Sequence, residues 1–167
     1  MGTIKIGKLI YAVICLILII SVVECYAAKE KAEEFFEQGK KYTSAKDIDK
    51  AIADYSKAIK ANPKFVKAYN NRGVAYSLKK QYDLAIADFN KAIELDPKNG
   101  KAYNNRAIIY AYHGESDKAR HDIHKAQSLG ITVNPDLLKI IESLPHTPPP
   151  IFHKPGPPAD KASKQKK

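Results

Sequence analysis

Residues 66–99 read VKAYNNRGVAYSLKKQYDLAIADFNKAIELDPKN, and this stretch decides the fold. Apolar residues recur at helical spacing in two runs, Val66 to Leu78 and Tyr82 to Leu95, and Pro97 supplies a stop signal. The stretch predicts a helical hairpin. The same pattern returns at a period of 34 residues on either side. Gly39, Gly73 and Ala107 share one column, and Tyr42, Tyr76 and Tyr110 share another. Further columns hold Ala51, Ala85 and Ala119; Tyr55, Phe89 and Ile123; and Ala58, Ala92 and Ala126. The units are therefore 32–65, 66–99 and 100–133.

The columns have a physical logic. Small residues at Gly73 and Ala85 let two antiparallel helices approach closely, while Tyr69, Tyr76 and Phe89 fill the space between one hairpin and the next. No hairpin can cover its own apolar face, so stability has to come from stacked neighbours.

This pattern resembles the tetratricopeptide repeat (TPR), whose signature is Trp-x2-Leu-Gly-x2-Tyr, then Ala-x3-Phe, then Pro. The aromatic start is Phe35, Tyr69 and Tyr103, the small residue is Gly39, Gly73 and Ala107, and the proline is Pro63 and Pro97. Departures are Gln38, Arg72 and Arg106 in place of Leu, Ile123 in place of the aromatic, and Ile131 where a third proline would stand. The resemblance implies an all-α fold: a right-handed superhelical solenoid of three TPR hairpins.

Asn134-Pro135-Asp136 then offers an N-cap followed by proline at the first helical position. Leu137, Leu138, Ile140, Ile141 and Leu144 form the apolar part of a short helix, so 134–145 reads as the capping helix that a solenoid's last hairpin needs. Residues 146–167 hold six of the chain's ten prolines and five lysines, the composition of a disordered Pro/Lys-rich tail.

At the other end, Lys5 and Lys8 precede an uncharged run of 15 residues, Leu9 to Val23, followed by Glu24-Cys25-Tyr26-Ala27-Ala28. Residues 1–28 thus read as a signal peptide or, uncleaved, as an N-terminal membrane anchor helix. The lysines put the N-terminus on the cytoplasmic side and the repeats across the membrane, in the periplasm or another extracytoplasmic space. Cys15 and Cys25, the two cysteines, both lie in this segment, so no disulfide framework serves the repeats.

The chain has 167 residues, a formal net charge of +10 and 44% hydrophobic residues, which fits one domain with tails and excludes a large multidomain enzyme. Residues 29–145 carry 21 basic and 16 acidic residues, interspersed, which argues against a nucleic-acid partner. No glycine-rich phosphate loop or Gly-x-Ser-x-Gly occurs. His121 and His124 are spaced to share a metal, but no motif completes a site around them. The reading is non-enzymatic, without cofactor or metal.

Function then rests on the groove. The resemblance implies that the first helix of each hairpin lines a concave surface holding a peptide or partner protein. The candidate contacts are Lys40, Lys67, Asn70, Asn71, Val74, Lys101, Asn104, Asn105, Ile108 and Tyr112. An asparagine amide both donates and accepts, so the two Asn-Asn pairs suit the backbone of an extended ligand. Chaperone-binding members of the family clamp a C-terminal carboxylate at five positions that here hold Phe36, Lys40, Asn71, Lys101 and Asn105. Only Asn71 and Lys101 match, which disfavours that ligand. The expected protein is a peptide-binding scaffold of the cell envelope. The alternative is a basic envelope adaptor whose tail lysines Lys154, Lys161, Lys164, Lys166 and Lys167 bind anionic lipid or polymer.

Overall fold

Turns of equal length at equal spacing shape the solenoid. The computed structural model describes the backbone of residues 2–145 and the side chains of residues 13, 14 and 16–145. Lys5, Lys8 and most of the predicted signal's first half, as side chains, and the whole predicted tail 146–167 lie outside the described residues. Seven helices follow one another: α1 Gly2–Ser44, α2 Ile48–Ala61, α3 Val66–Leu78, α4 Tyr82–Leu95, α5 Gly100–Tyr112, α6 Ser116–Ser128 and α7 Pro135–Ser143. Among the described residues there is no strand.

Within each hairpin the reversal takes three residues, 45–47, 79–81 and 113–115. Its middle residue is left-handed every time: Lys46 and Lys80 at φ 60° and Gly114 at φ 72°. That conformation closes the end of the first helix and sends the chain back antiparallel. Asp47 caps α2, accepting from the Lys50 backbone N–H at 3.4 Å, and Asn99 caps α5 through the Ala102 N–H at 3.1 Å. Between hairpins, Asn62 and Asp96 make the same local turn, each accepting at 3.0 Å from the backbone N–H two residues on.

Inside each hairpin, size is matched across the two helices. A Cβ on Gly39 would lie 2.6 Å from the Tyr55 ring, and one on Gly73 would lie 2.7 Å from the Phe89 ring. In the third hairpin the partner is the smaller Ile123, and the facing position is Ala107, with both side chains fully buried. Tyr55 and Phe89 are each 1% exposed, so neither ring has room to retreat. The departure of Ile123 from an aromatic therefore travels with the departure of Ala107 from glycine.

The arginines at 72 and 106, where the repeat signature has Leu, tie the hairpins together. Arg72 donates to both carboxylate oxygens of Asp88, at 2.8 and 2.7 Å, and its remaining arm donates to Ser56 Oγ of the preceding hairpin at 2.9 Å. Arg106 repeats this, with Asp122 at 2.6 and 2.8 Å and Asn90 of the preceding hairpin as third partner. Each guanidinium lies between two tyrosines of its own helix, Tyr69 and Tyr76 at 5.8 and 5.7 Å, Tyr103 and Tyr110 at 5.6 and 5.7 Å. Hydrogen bonding to Asp88 holds the Arg72 proton more firmly than usual, against the opposing effect of burial. For Arg106 burial is the largest influence and works against the charge, yet the Asp122 pair outweighs it and the pKa is again raised. Asp88 and Asp122 are buried, so the two-armed pairing is what offsets the desolvation cost of their charges. In the first hairpin Gln38 stands at the arginine position, and the buried Asp54 takes Lys57 instead, at 2.6 Å.

The helix α7 closes the stack. Asn134 accepts from the Asp136 N–H at 2.8 Å, and Ile141, fully buried, packs into the cluster of Ala107, Ala119, Ile123 and Val133. At the start of the chain the structure differs from the expected division. The apolar run and the first helix of the first hairpin are one unbroken helix, α1, with no boundary near residue 28. The segment Ala27-Ala28-Lys29-Glu30-Lys31-Ala32 joining them contains only good helix formers, so nothing interrupts the hydrogen-bond ladder. Described apolar side chains from Val13 to Val23 are exposed, and the first buried side chain is Ala32. Among the described residues, no helix is long and apolar enough to cross a membrane.

The size matching generates a sign reversal. Gly73→Ala is expected to lower the free energy of urea unfolding, since overpacking typically costs about 1–3 kcal/mol and exceeds the helix-propensity gain of about 1 kcal/mol. In a Phe89→Ile background the same substitution is expected to raise stability. Equal effects of Gly73→Ala in both backgrounds would contradict the pairing.

Candidate functional site

Because each second helix turns its small and aromatic residues toward its own hairpin, the first helices α1, α3 and α5 keep one face open. Nine of the ten sequence-derived candidates line two cavities on that face. The larger, about 640 Å³, takes Lys40 from α1, Lys67, Asn70 and Asn71 from α3, and Lys101 from α5. The smaller, about 330 Å³, takes Val74 from α3 and Asn105, Ile108 and Tyr112 from α5. Asn104 is half-buried and lines neither of these two.

The asparagines divide by partner. Asn105 Nδ2 donates to Asn70 Oδ1 at 3.2 Å, which ties α5 to α3 at the junction of the two cavities. Asn71, Lys67 and Lys101 have no hydrogen bond or ion pair through their side chains among the described residues, so their donors face the open cavity. Lys40 is held by Glu37 of its own helix at 2.8 Å, an exposed pair of little energetic weight, and sits over the Phe36 ring at 5.5 Å. Phe36 itself is buried against Tyr55 and Phe65, with ring centroids at 5.8 and 4.9 Å. A core aromatic thus occupies one of the five clamp positions.

The chemistry grades along the groove. The end where α3 and α5 begin carries the lysines and most of the amides, among the acidic Glu33, Glu37 and Asp96 and the apolar Phe36, Val66, Leu129 and Ile131. Toward the ends of α3 and α5 it becomes apolar and aromatic, and Tyr82 and Phe89 of α4 form the floor. Sequence reasoning missed the contributions from outside the first helices: Lys98 and Asn99 from the turn before α5, Ile131 from the segment before α7, and Tyr82. Tyr82 and Lys98 sit at element ends, where a helical-face count does not reach. Ile131, read only as a missing proline, also packs over Gly100, where an added Cβ would lie 2.5 Å from its side chain.

The paired histidines lie elsewhere. His121 lines an open cavity of about 420 Å³ with Arg106, Tyr110, Asp117, Lys118 and Asp122, and His124 Nδ1 is 3.3 Å from Gln127 Oε1. Among the described residues no group of three His, Cys, Asp or Glu side chains converges on a point that could hold a metal ion.

Models of the tetratricopeptide repeat match residues 66–99 and 89–121, and a TPR repeat model matches 39–80. The chain belongs to the tetratricopeptide repeat family. Solved TPR domains agree in fold along most of their length. The TPR2B domain of yeast Sti1, solved as a pHsp70 complex, is 30% identical, with 68% of this chain and 94% of that one covered and a TM-score of 0.62. The first TPR of Spaghetti (RPAP3), bound to the HSP90 peptide SRMEEVD, is 28% identical, with 70% and 94% covered and a TM-score of 0.66. The Arabidopsis OM64 TPR domain is 29% identical, with 69% and 93% covered and a TM-score of 0.62. No curated protein matches the chain. TPR proteins are generally non-catalytic scaffolds, and the Sti1 and Spaghetti domains were solved with pHsp70 and with an HSP90 peptide respectively.

Proposed function

We propose that this TPR protein is an exported scaffold that holds a peptide or an extended segment of a partner protein in the groove of α1, α3 and α5. The observation that carries the reading is the set of groove side chains, Lys67, Asn71 and Lys101, which line the larger cavity and have no hydrogen bond or ion pair among the described residues. Folding gains nothing from aiming them into a cavity, whereas a ligand backbone or carboxylate does. That similar TPR domains were solved with HSP90 and pHsp70 peptides supports a peptide as the class of ligand. Phe36 and Asn105 depart from the chaperone-tail clamp, one buried in the core and the other bonded to Asn70, and this favours a different peptide.

Export is the reading of the N-terminal lysines and apolar run. A run of 15 uncharged residues suits a removable signal better than a permanent span, which needs about 17–25 residues. Removal of residues 1–27 would take no described buried side chain from the repeats, since the first is Ala32. In this reading the scaffold works in the cell envelope.

Two measurements follow. Panning a random displayed peptide library against the chain is expected to select a ligand whose affinity falls roughly tenfold in Lys67→Ala/Asn71→Ala, with unchanged melting. Asn105→Ala is expected to reduce stability as well, by about 1 kcal/mol, because it removes the bond to Asn70. Binding that survives the groove double variant and disappears in His121→Ala/His124→Ala would place the site on the other face. For export, alkaline phosphatase fused after residue 31 is expected to be active outside the cytoplasm. Activity confined to the cytoplasm, with no membrane association, would contradict it.

A further inference from the structure

The apolar end of the groove opens to solvent through an aromatic pair. The Tyr82 and Tyr112 rings stack at 6.4 Å with an interplanar angle of 20°, and Tyr112 is 79% exposed. Leu78, next to the cavity-lining Ser77, is 60% exposed. Exposed aromatic and aliphatic side chains at the mouth of a cavity suit a docking surface.

The chain leaves the described structure beside it. Ser116 donates to the carbonyl of Pro145, and Arg120 donates to the carbonyl of Leu144, so the end of α7 is pinned to the start of α6. Three residues before Ser116 stands His113, whose ring meets Tyr82 edge-on at 5.1 Å. Residues 146–167 follow, and their only large apolar residues are Ile151 and Phe152, directly after Pro148-Pro149-Pro150. Proline runs favour the polyproline II conformation and dock against aromatic-lined grooves at low entropic cost. At about 3.1 Å per residue, the segment from 146 to 152 spans roughly 22 Å. The route from Pro145 to Tyr82 is at most of comparable length: one hydrogen bond to the Ser116 side chain, a backbone stretch of at most about 11 Å to His113, and the His113 ring in contact with Tyr82.

We infer that this cavity is the docking site of the chain's own segment Pro148–Phe152, with the prolines leading to it and Ile151 and Phe152 against Tyr82 and Tyr112. Tethering puts the segment at an effective concentration in the millimolar range, so a contact too weak to form between separate molecules is occupied within one. The segment then competes with any groove ligand that reaches this end, and a partner must displace it. The inference needs neither export nor a particular partner.

The test uses the full chain with the photo-crosslinker p-benzoylphenylalanine in place of Phe152. Irradiation is expected to give a crosslinked monomer, with the crosslink mapped by mass spectrometry to residues 74–84 or 105–113. Its yield is expected to fall roughly fivefold when Tyr112→Ala is added, the loss of one aromatic contact. A crosslinked dimer would assign the surface to a second copy and overturn the inference. Crosslinks to other parts of the same chain, or a yield unaffected by Tyr112→Ala, would overturn it equally.

Discussion

The repeats depend on a three-way arginine clamp. A stack of hairpins needs something that fixes each one against its neighbour in both angle and register, and apolar burial, being non-directional, does not supply register. Arg72 and Arg106 do. Each guanidinium binds the second helix of its own hairpin with two arms and that of the preceding hairpin with the third, and two tyrosine rings of its own helix lie within 5.8 Å of it. The planar fork suits this task because its donors lie in fixed directions, which a lysine ammonium would not provide. Both junctions are clamped in this way, Arg72 reaching Ser56 of the first hairpin and Arg106 reaching Asn90 of the second; the first hairpin, which has Gln38 at the arginine position, adds an aromatic contact of Phe36 against Phe65 at 4.9 Å.

Register in turn makes the groove. With the second helices fixed, the first helices stand side by side, and residues 34 apart in sequence occupy matching positions on them. Asn70 and Asn105, 35 apart, meet for this reason and separate the cationic end of the groove from the apolar end. A surface prepared in this way needs no reorganisation on association, and in the proposed role of holding an extended segment that keeps the entropic cost low.

Much of this was legible in the sequence. The period, the helix bounds from Val66 to Leu78 and Tyr82 to Leu95, and the helix beginning at Pro135 follow from apolar spacing, proline and caps, which are local signals. The arginines were also visible, but only as departures from a leucine. Their partners Asp88 and Asp122 lie 16 residues away on the facing helix, and a polar pair of that separation leaves no periodic trace. A column of acidic residues at 54, 88 and 122 in otherwise apolar stretches was the available signal. For the site, counting helical faces located the groove residues, since position on a face is a local property. Whether Asn71 is open and Asn105 engaged depends on inter-hairpin spacing, which sequence does not encode locally. The continuity of α1 escaped because a boundary in function leaves no mark on the backbone where every residue favours helix.

The most direct test of the clamp is a double-mutant cycle in urea on Arg106→Leu and Asp122→Leu. The account predicts that Arg106→Leu alone costs more than the double variant, because it strands a carboxylate whose side chain is 2% exposed. The coupling between the two sites should be about 1–3 kcal/mol. Additive losses, with the double variant as damaged as the sum of the singles, would contradict the claim that this pair holds the repeats in register.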